Sequence, residues 1–318
     1  MSKTVLIIDA LNMFIRNYVV NPTLDRHGNP IGGCVGFIKS LQKVCKKFEP
    51  NEVVVVWDGH QGSQRKRSIN KNYKEGRKPI RFNRRLIDLN PEEQDKNKAY
   101  QLIRLMEYLN EFPIIQLTVD YTEADDIIAF VSQHEMYGFY NKIIISSDKD
   151  FFQLCNETTS VYRPIQDKIV GKQDILEEFK IHPVNFALAR AIAGDPSDNL
   201  HGVAGVGLKT VAKRFPFLYN EEEYDCETII KNCLSTRKKL KLHENIIKSE
   251  QLVKNNYKIM QLYYPNIRPI NRIFINNSLS QFEADFSKLN FTKMLFQDDL
   301  SYINFEELIR IMKNINRR

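Results

Sequence analysis

The stretch VLIID, residues 5–9, is a continuous apolar run that stops on a carboxylate. The same pattern returns in VVVVWD at 53–58 and in IIISSDKD at 143–150, while TEADD at 122–126 follows the run PIIQLTV at 113–119. Short unbroken runs of Val, Ile and Leu mark strands buried on both faces. Between them, residues 34–48, 92–110 and 123–136 carry apolar side chains at helical spacing. This alternation predicts an α/β fold, a parallel sheet with helices on both faces. Sites in such sheets form in the crevice outside the carboxyl ends of the strands. Asp9, Asp58, Glu123, Asp125, Asp126, Asp148 and Asp150 all fall at that edge, and GDPSDN at 194–199 adds Asp195 and Asp198. Nine gathered carboxylates repel one another unless cations neutralise them, and hard oxygen ligands in this number suit Mg²⁺ or Mn²⁺.

Taken singly, some of these acids also fit ordinary helix-start chemistry. Thr122 is placed to cap a helix whose first turn holds Glu123, Asp125 and Asp126, and Asp148 or Asp150 is placed to cap a helix starting at Phe151. Asp9 and Asp58, by contrast, end strands with no evident helix start after them. Four segments delivering acids to one sheet edge point to a two-metal hydrolytic centre. The six histidines (27, 60, 134, 182, 201, 243) are scattered, so no Ser/His/Asp or Cys/His arrangement competes.

At 318 residues and 42% hydrophobic, the chain has room for one large domain or two modest ones. The five cysteines (34, 45, 155, 226, 233) form no CxxC pair, which predicts reduced thiols and a cytoplasmic setting. With a first strand from about Lys3, no signal peptide is expected, and no apolar run approaches the roughly 20 residues of a membrane helix.

The formal charge of +7 is unevenly spread. Between Arg65 and Arg85 stand ten Lys/Arg against one acid, Glu75, so those 21 residues carry +9 and the remainder about −2. Such a block is either a solvated loop or an anion-binding segment. Beside a carboxylate pocket, it suits a nuclease whose cations hold phosphates. Arg65, Lys66, Arg67, Lys71, Lys78 and Arg81 are the candidate contacts, in a segment expected to be mobile without its partner.

A second motif is GDPSDNLHGVAGVGLKTV, residues 194–211. Gly202, Gly205 and Gly207 allow a tight turn and close approach of N–H groups to a phosphate, and Lys209 and Thr210 stand at a helix start. A Gly-rich turn alone is also simple punctuation. With DPSD before it and KT after it, the stretch suggests a helix–hairpin–helix that grips duplex backbone without reading sequence. Segments 173–180, 183–193 and 208–215 suggest short helices; beyond about 225 the chain is helical and mixed, with a strand-like RIFI at 272–275.

Together these residues resemble the structure-specific 5′ nucleases: phage 5′ nucleases, the 5′-nuclease domain of bacterial DNA polymerase I, and flap endonucleases. The matches are D-x-x-N at Asp9–Asn12, Trp57-Asp58-Gly59, Y-K-x-G-R at Tyr73–Arg77, E-A-D-D at Glu123–Asp126, S-D-K-D-F at Ser147–Phe151, G-D-x-S-D-N at Gly194–Asn199 and the hairpin at Gly202–Thr210. They run in family order over roughly residues 1–215, and the length is most similar to the phage members.

The resemblance implies a PIN-like, Rossmann-like nuclease domain at 1–175 and a helical region at 176–318 with its hairpin motif at about 185–215. Asp9, Asp58, Glu123 and Asp125 would serve one Mg²⁺ (Mn²⁺ substituting), and Asp125, Asp148, Asp150 and Asp195 the other, with Asp126 and Asp198 outside them. Residues 60–100 would form a helical arch passing a single-stranded 5′ end. In it Lys74 and Arg77 would act catalytically on the scissile phosphate and Tyr73 would stack a base. K⁺ would sit on hairpin carbonyls.

The implied activity is 5′-3′ exonuclease and flap endonuclease hydrolysis at DNA and RNA–DNA junctions, removing primers or flaps in replication and repair. It would be independent of sequence, by a monomer in the cytoplasm (the host's, for a phage protein). After about residue 225 the resemblance ends. There Arg237, Lys238, Lys239 and Lys241 either touch duplex or form a solvated face, and contacts to a single-strand-binding protein or sliding clamp would fall in this region. Rival expectations are a non-catalytic junction binder, which would not need intact acids, and a compact PIN-type ribonuclease, which would lack the hairpin and basic insert.

Overall fold

The computed structural model describes residues 3–77, 80–82, 89–237 and 240–315. Six strands form the main sheet: β1 (Thr4–Asp9), β2 (Glu52–Trp57), β3 (Ile115–Thr118), β4 (Asn141–Ile145), β5 (Thr159–Arg163) and β6 (Lys168–Val170). Their order is β3-β2-β1-β4-β5-β6, parallel except for β6. The chain builds outward from β1 through β2 to β3, then returns to β1's other flank with β4. The strand order therefore reverses between β1 and β4, which in doubly wound sheets opens a crevice at their carboxyl ends. Register places Ile8 beside Val55 on one side and beside Ile145 on the other, so the ends of β1, β2 and β4 are level.

Alternate β1 residues feed two cores. Val5 and Ile7 join Ile127, Phe186 and Val253 on one face. Leu6 and Ile8 join Phe14, Phe37, Leu105, Phe291 and Leu308 on the other. The first face is covered by α5 (Ala124–Ser132), α7 (Pro183–Ala193) and α11 (Glu250–Met260), the second by α1 (Ala10–Val20), α2 (Gly32–Phe48), α4 (Pro91–Asn110), α13 (Lys288–Gln297) and α14 (Glu306–Ile315). The second core thus joins the chain's first and last helices across the expected boundary at 175/176. Buried Asp298 clamps this closure, accepting from Arg104 Nε at 2.7 Å and Tyr108 Oη at 2.6 Å. The remaining helices are α3 (Gln64–Ile69), α6 (Lys172–Phe179), α8 (Leu208–Arg214), α9 (Cys226–Ser235), α10 (Lys241–Lys248) and α12 (Pro269–Ser280); a two-stranded ribbon pairs β7 (Gly194–Asp195) with β8 (Leu200–His201). Among the described residues no helix is long and apolar enough to cross a membrane.

Two local expectations are corrected, and two strands are added. A helix, α1, begins directly after Asp9, whose side chain caps it by accepting from Asn12 N at 3.1 Å. RIFI lies inside α12, where Ile275 and Leu279 face inward one turn apart while Ile273 and Phe274 are exposed; four residues of strand-like composition are too few to reveal that period. Strands β5 and β6 carry no comparable apolar run and were not anticipated.

Candidate active site

The carboxylates reach one crevice because strands, caps and a glycine place them there. Asp9 ends β1; its Oδ1 takes the α1 cap and its Oδ2 accepts from Ser146 Oγ at 2.8 Å. Asp58 follows β2 and accepts from Ala124 N at 2.8 Å, so it, and not Thr122, caps α5. Gly59 makes this possible, because a Cβ there would stand 1.7 Å from the Val119 carbonyl oxygen. Asp148 and Asp150 follow β4, with Asp148 Oδ1 accepting from Asp150 N at 2.8 Å. Asp195 starts the turn of the small ribbon and accepts from Ser197 N and Oγ.

The chain's own cations enter this crevice. Buried Glu123 accepts from Lys66 Nζ at 2.6 Å, Lys74 Nζ at 2.7 Å and Tyr73 Oη at 3.2 Å. Burial opposes its charge, but Lys66 and Lys74 outweigh burial and hold it at about 2. Arg190 Nη2 bridges Asp150 at 2.7 Å and Asp195 at 2.6 Å. Arg77 pairs with Asp198, Lys74 N donates to Asp198 O, and Asn199 Nδ2 donates to Asn72 O. The segment expected to be mobile is therefore folded over 60–77: α3 forms, and the following turn is stapled to 196–199. The acids of the same chain supply part of the countercharge that the sequence pattern assigns to a partner.

Compensation is incomplete. Among the described residues, four cations pair with this set of acids, Lys66, Lys74, Arg77 and Arg190, fewer than the carboxylates gathered there. Burial, with Asp58 and Asp148 adding repulsion, pushes Asp9 up to about 7. Burial and Asp148 push Asp150 to about 7 against the pull of Arg190, and enclosure raises Asp125 well above the usual range. Ser147 Oγ is buried next to Asp148 with no hydrogen-bond partner among the described residues. Among those residues no three acid, His or Cys side chains already stand as a ready cage. The donor chemistry and the surplus of charge nevertheless fit divalent cations.

Other site residues separate into groups. Asp126 turns away and accepts from Asn266 N at 3.0 Å, tying α5 to the C-terminal region. Tyr73 is 2% exposed and Lys66 6%, so neither offers the surface contact expected of it. Arg81 pairs with Asp95 at 2.9 Å; Arg67 and Lys71 are exposed; Lys78 lies outside the described residues, as do Lys238 and Lys239. In the hairpin, Gly205 holds φ +76° with open space around it, and Gly207, Lys209 and Thr210 open α8. Gly202 serves packing instead, since a Cβ there would meet the Ala193 carbonyl oxygen at 2.1 Å. Arg190 was not anticipated, although it is the one charged residue in the α7 sequence PVNFALARAIA, five positions before Asp195.

The family profile "5′-3′ exonuclease, N-terminal resolvase-like domain" matches residues 4–180. A 5′-3′ exonuclease of Aquifex aeolicus is 30% identical over 209 residues, covering 65% of this chain and 67% of that protein. A thermostable DNA polymerase I of Thermus thermophilus is 30% identical over 210 residues, 66% of this chain but only 23% of the polymerase. Among solved structures, the bacteriophage T5 D15 protein co-crystallised with metal ions superposes with a TM-score of 0.65 at 20% identity, over 93% of this chain and 99% of that one. A variant of the T5 D15 flap endonuclease, in a pseudo-enzyme-product complex with DNA and metal ions, gives 0.65 at 20%, covering 93% and 98%. At this identity the likeness concerns the fold, a mostly parallel α/β sheet with a helical C-terminal region.

Proposed function

The chain belongs to the 5′-3′ exonuclease family, and on that premise we propose that it is a metal-dependent nuclease that hydrolyses phosphodiesters at single-strand/duplex junctions, trimming 5′ ends and flaps, RNA primers included. The observation that carries this is the gathering of uncompensated carboxylates at the switch point between β1 and β4, beside a loop bearing Lys74 and Arg77.

Asp9, Asp58, Glu123, Asp125, Asp148, Asp150 and Asp195 are the residues to hold two divalent ions, Mg²⁺ with Mn²⁺ as substitute. Such ions lower the pKa of a bound water and stabilise the entering and leaving oxygens of an in-line displacement. Asn12 N and Ser146 Oγ fix the Asp9 carboxylate before anything binds. Lys74 and Arg77 rest on Glu123 and Asp198, a short reach from a phosphate that would compete for them; there they add positive charge where negative charge develops. The open turn at Gly205–Gly207 is suited to grip duplex backbone, with K⁺ on its carbonyls. None of these groups reads a base edge, so binding is independent of sequence and falls steeply with salt. The exposed α12 face of Ile270, Ile273 and Phe274 suits contact with a single-strand-binding protein or sliding clamp, in the cytoplasm where replication takes place.

The test is single-turnover cleavage of a 5′-labelled flap and a matched nicked duplex, with Mg²⁺ and with EDTA. Mg²⁺-dependent 5′-phosphate product at the junction is expected, and Asp148→Asn should abolish it while junction binding persists. Tight binding with no cleavage in any divalent metal would make the chain a junction binder instead.

A further inference from the structure

Outside the acid crevice, the C-terminal region builds a second surface. Between α5 and the start of α12 runs a groove of about 640 Å³, lined by Arg65, Phe130, His134, Tyr263, Tyr264 and Arg272 among others. Tyr263 and Tyr264 are 42% and 60% exposed, their rings edge to face at 5.2 Å. Arg272 donates to the Ile267 and Pro265 carbonyls, with its guanidinium 5.9 Å from the Phe130 ring. Beside the groove, Arg268 lies 5.0 Å over Tyr121, itself half exposed.

Arg65, Arg268 and Arg272 form no salt bridge among the described residues, whereas the cations of the acid crevice are paired. The lining carboxylate is Glu135, and Glu223 holds the Tyr264 hydroxyl at 3.0 Å. Asn266 joins groove to crevice: its N–H donates to Asp126 at 3.0 Å, while its side-chain amide lies against the Arg65 guanidinium.

Exposed aromatic faces alternating with arginines outside any salt bridge are the chemistry that receives single-stranded nucleic acid: rings stack bases of any identity and guanidinium groups hold phosphates. We propose that this groove is a docking track for the single-stranded 5′ flap. Bases stack on Tyr263 and Tyr264, phosphates meet Arg65, Arg268 and Arg272, and the flap is held beside the reacting centre after it leaves the junction. The inference rests on the junction-nuclease reading above and adds to it a flap contact whose two tyrosines, with Arg268 and Arg272, lie outside the family profile.

The experiment compares, in EDTA, binding of the full chain to a junction carrying a flap of about ten nucleotides, within the usual single-strand site size, and to the same junction with no flap. Tyr264→Ala combined with Arg272→Ala should weaken flap binding about tenfold and leave flapless binding unchanged. Tyr264→Phe alone, which keeps the ring and loses the Glu223 bond, should bind the flap like wild type. Equal losses on both substrates, no loss on either, or a Tyr264→Phe protein as weak on the flap as the double variant would overturn the track. Cleavage of the two substrates by wild type in Mg²⁺ is scored separately, so failure of the nuclease reading appears there and not in the variant comparison.

Discussion

Replacing Arg190 with alanine should unmask how much of the acid crevice the protein itself neutralises. Arg190 Nη2 stands 2.7 Å from Asp150 and 2.6 Å from Asp195, with all three side chains under a fifth exposed. At an effective dielectric of about 20 each contact is roughly 6 kcal/mol of gross attraction, largely offset by desolvation of several kcal/mol per ion. What the truncation exposes is the residue of this balance, two enclosed carboxylates without a cation, a loss measured elsewhere at about 3–5 kcal/mol. The lower end applies, because Asp150 already sits at about 7 and relieves part of the strain by taking a proton. Over 318 residues, the unfolding entropy is roughly 0.7 kcal/mol per kelvin, so about 3 kcal/mol becomes a melting shift of about 4–5 °C. Thermal unfolding in EDTA should show that deficit, and millimolar Mn²⁺ should narrow it, because a divalent ion then supplies the missing charge. A variant melting within about 1 °C of wild type in EDTA, against the several degrees expected, or a gap that widens with Mn²⁺, would refute the charge-compensation reasoning.

Lys74→Ala should lower the single-turnover rate about 10²–10³-fold with little change in junction affinity; a loss confined to affinity would remove Lys74 from the reaction. Gly205→Pro forces φ from +76° toward about −65°, so duplex affinity should fall tenfold or more by fluorescence anisotropy while Mn²⁺ still raises the melting temperature; loss of that metal response would show that hairpin and crevice are one unit. Asp298→Ala leaves Arg104 and Tyr108 without their buried acceptor, and urea unfolding should show a loss of about 3 kcal/mol at unchanged m, while an unchanged midpoint would mean that the closure of α13 on α4 does not rest on this clamp.

Legibility in the sequence followed the range of the interactions. The strands at VLIID, VVVVWD and IIISSDKD were readable because burial on both faces demands unbroken apolar runs, and their terminal acids because an uncapped carboxylate at a strand end is conspicuous. Strand β6 at the sheet edge and its neighbour β5 are short and mixed in composition, and α1 is hidden because Asp9 serves as cap and site acid at once. Arg190 was legible in principle, a single charge in an apolar helix, but its partners lie 40 positions before it and five after it.

By itself the sequence determined the kind of fold, the set of acids and the hairpin, since each is written in contiguous residues whose chemistry is local. Only the tertiary structure decided which charges meet. It set Lys66 and Lys74 on Glu123, made Asp58 the cap of a helix 66 residues away, turned Asp126 toward Asn266, and brought Arg65 beside Tyr263 and Tyr264. Ion pairs and stacking act over a few ångströms in space and leave no periodicity in the chain, so they come into view only when the sheet and the last helices have closed around them.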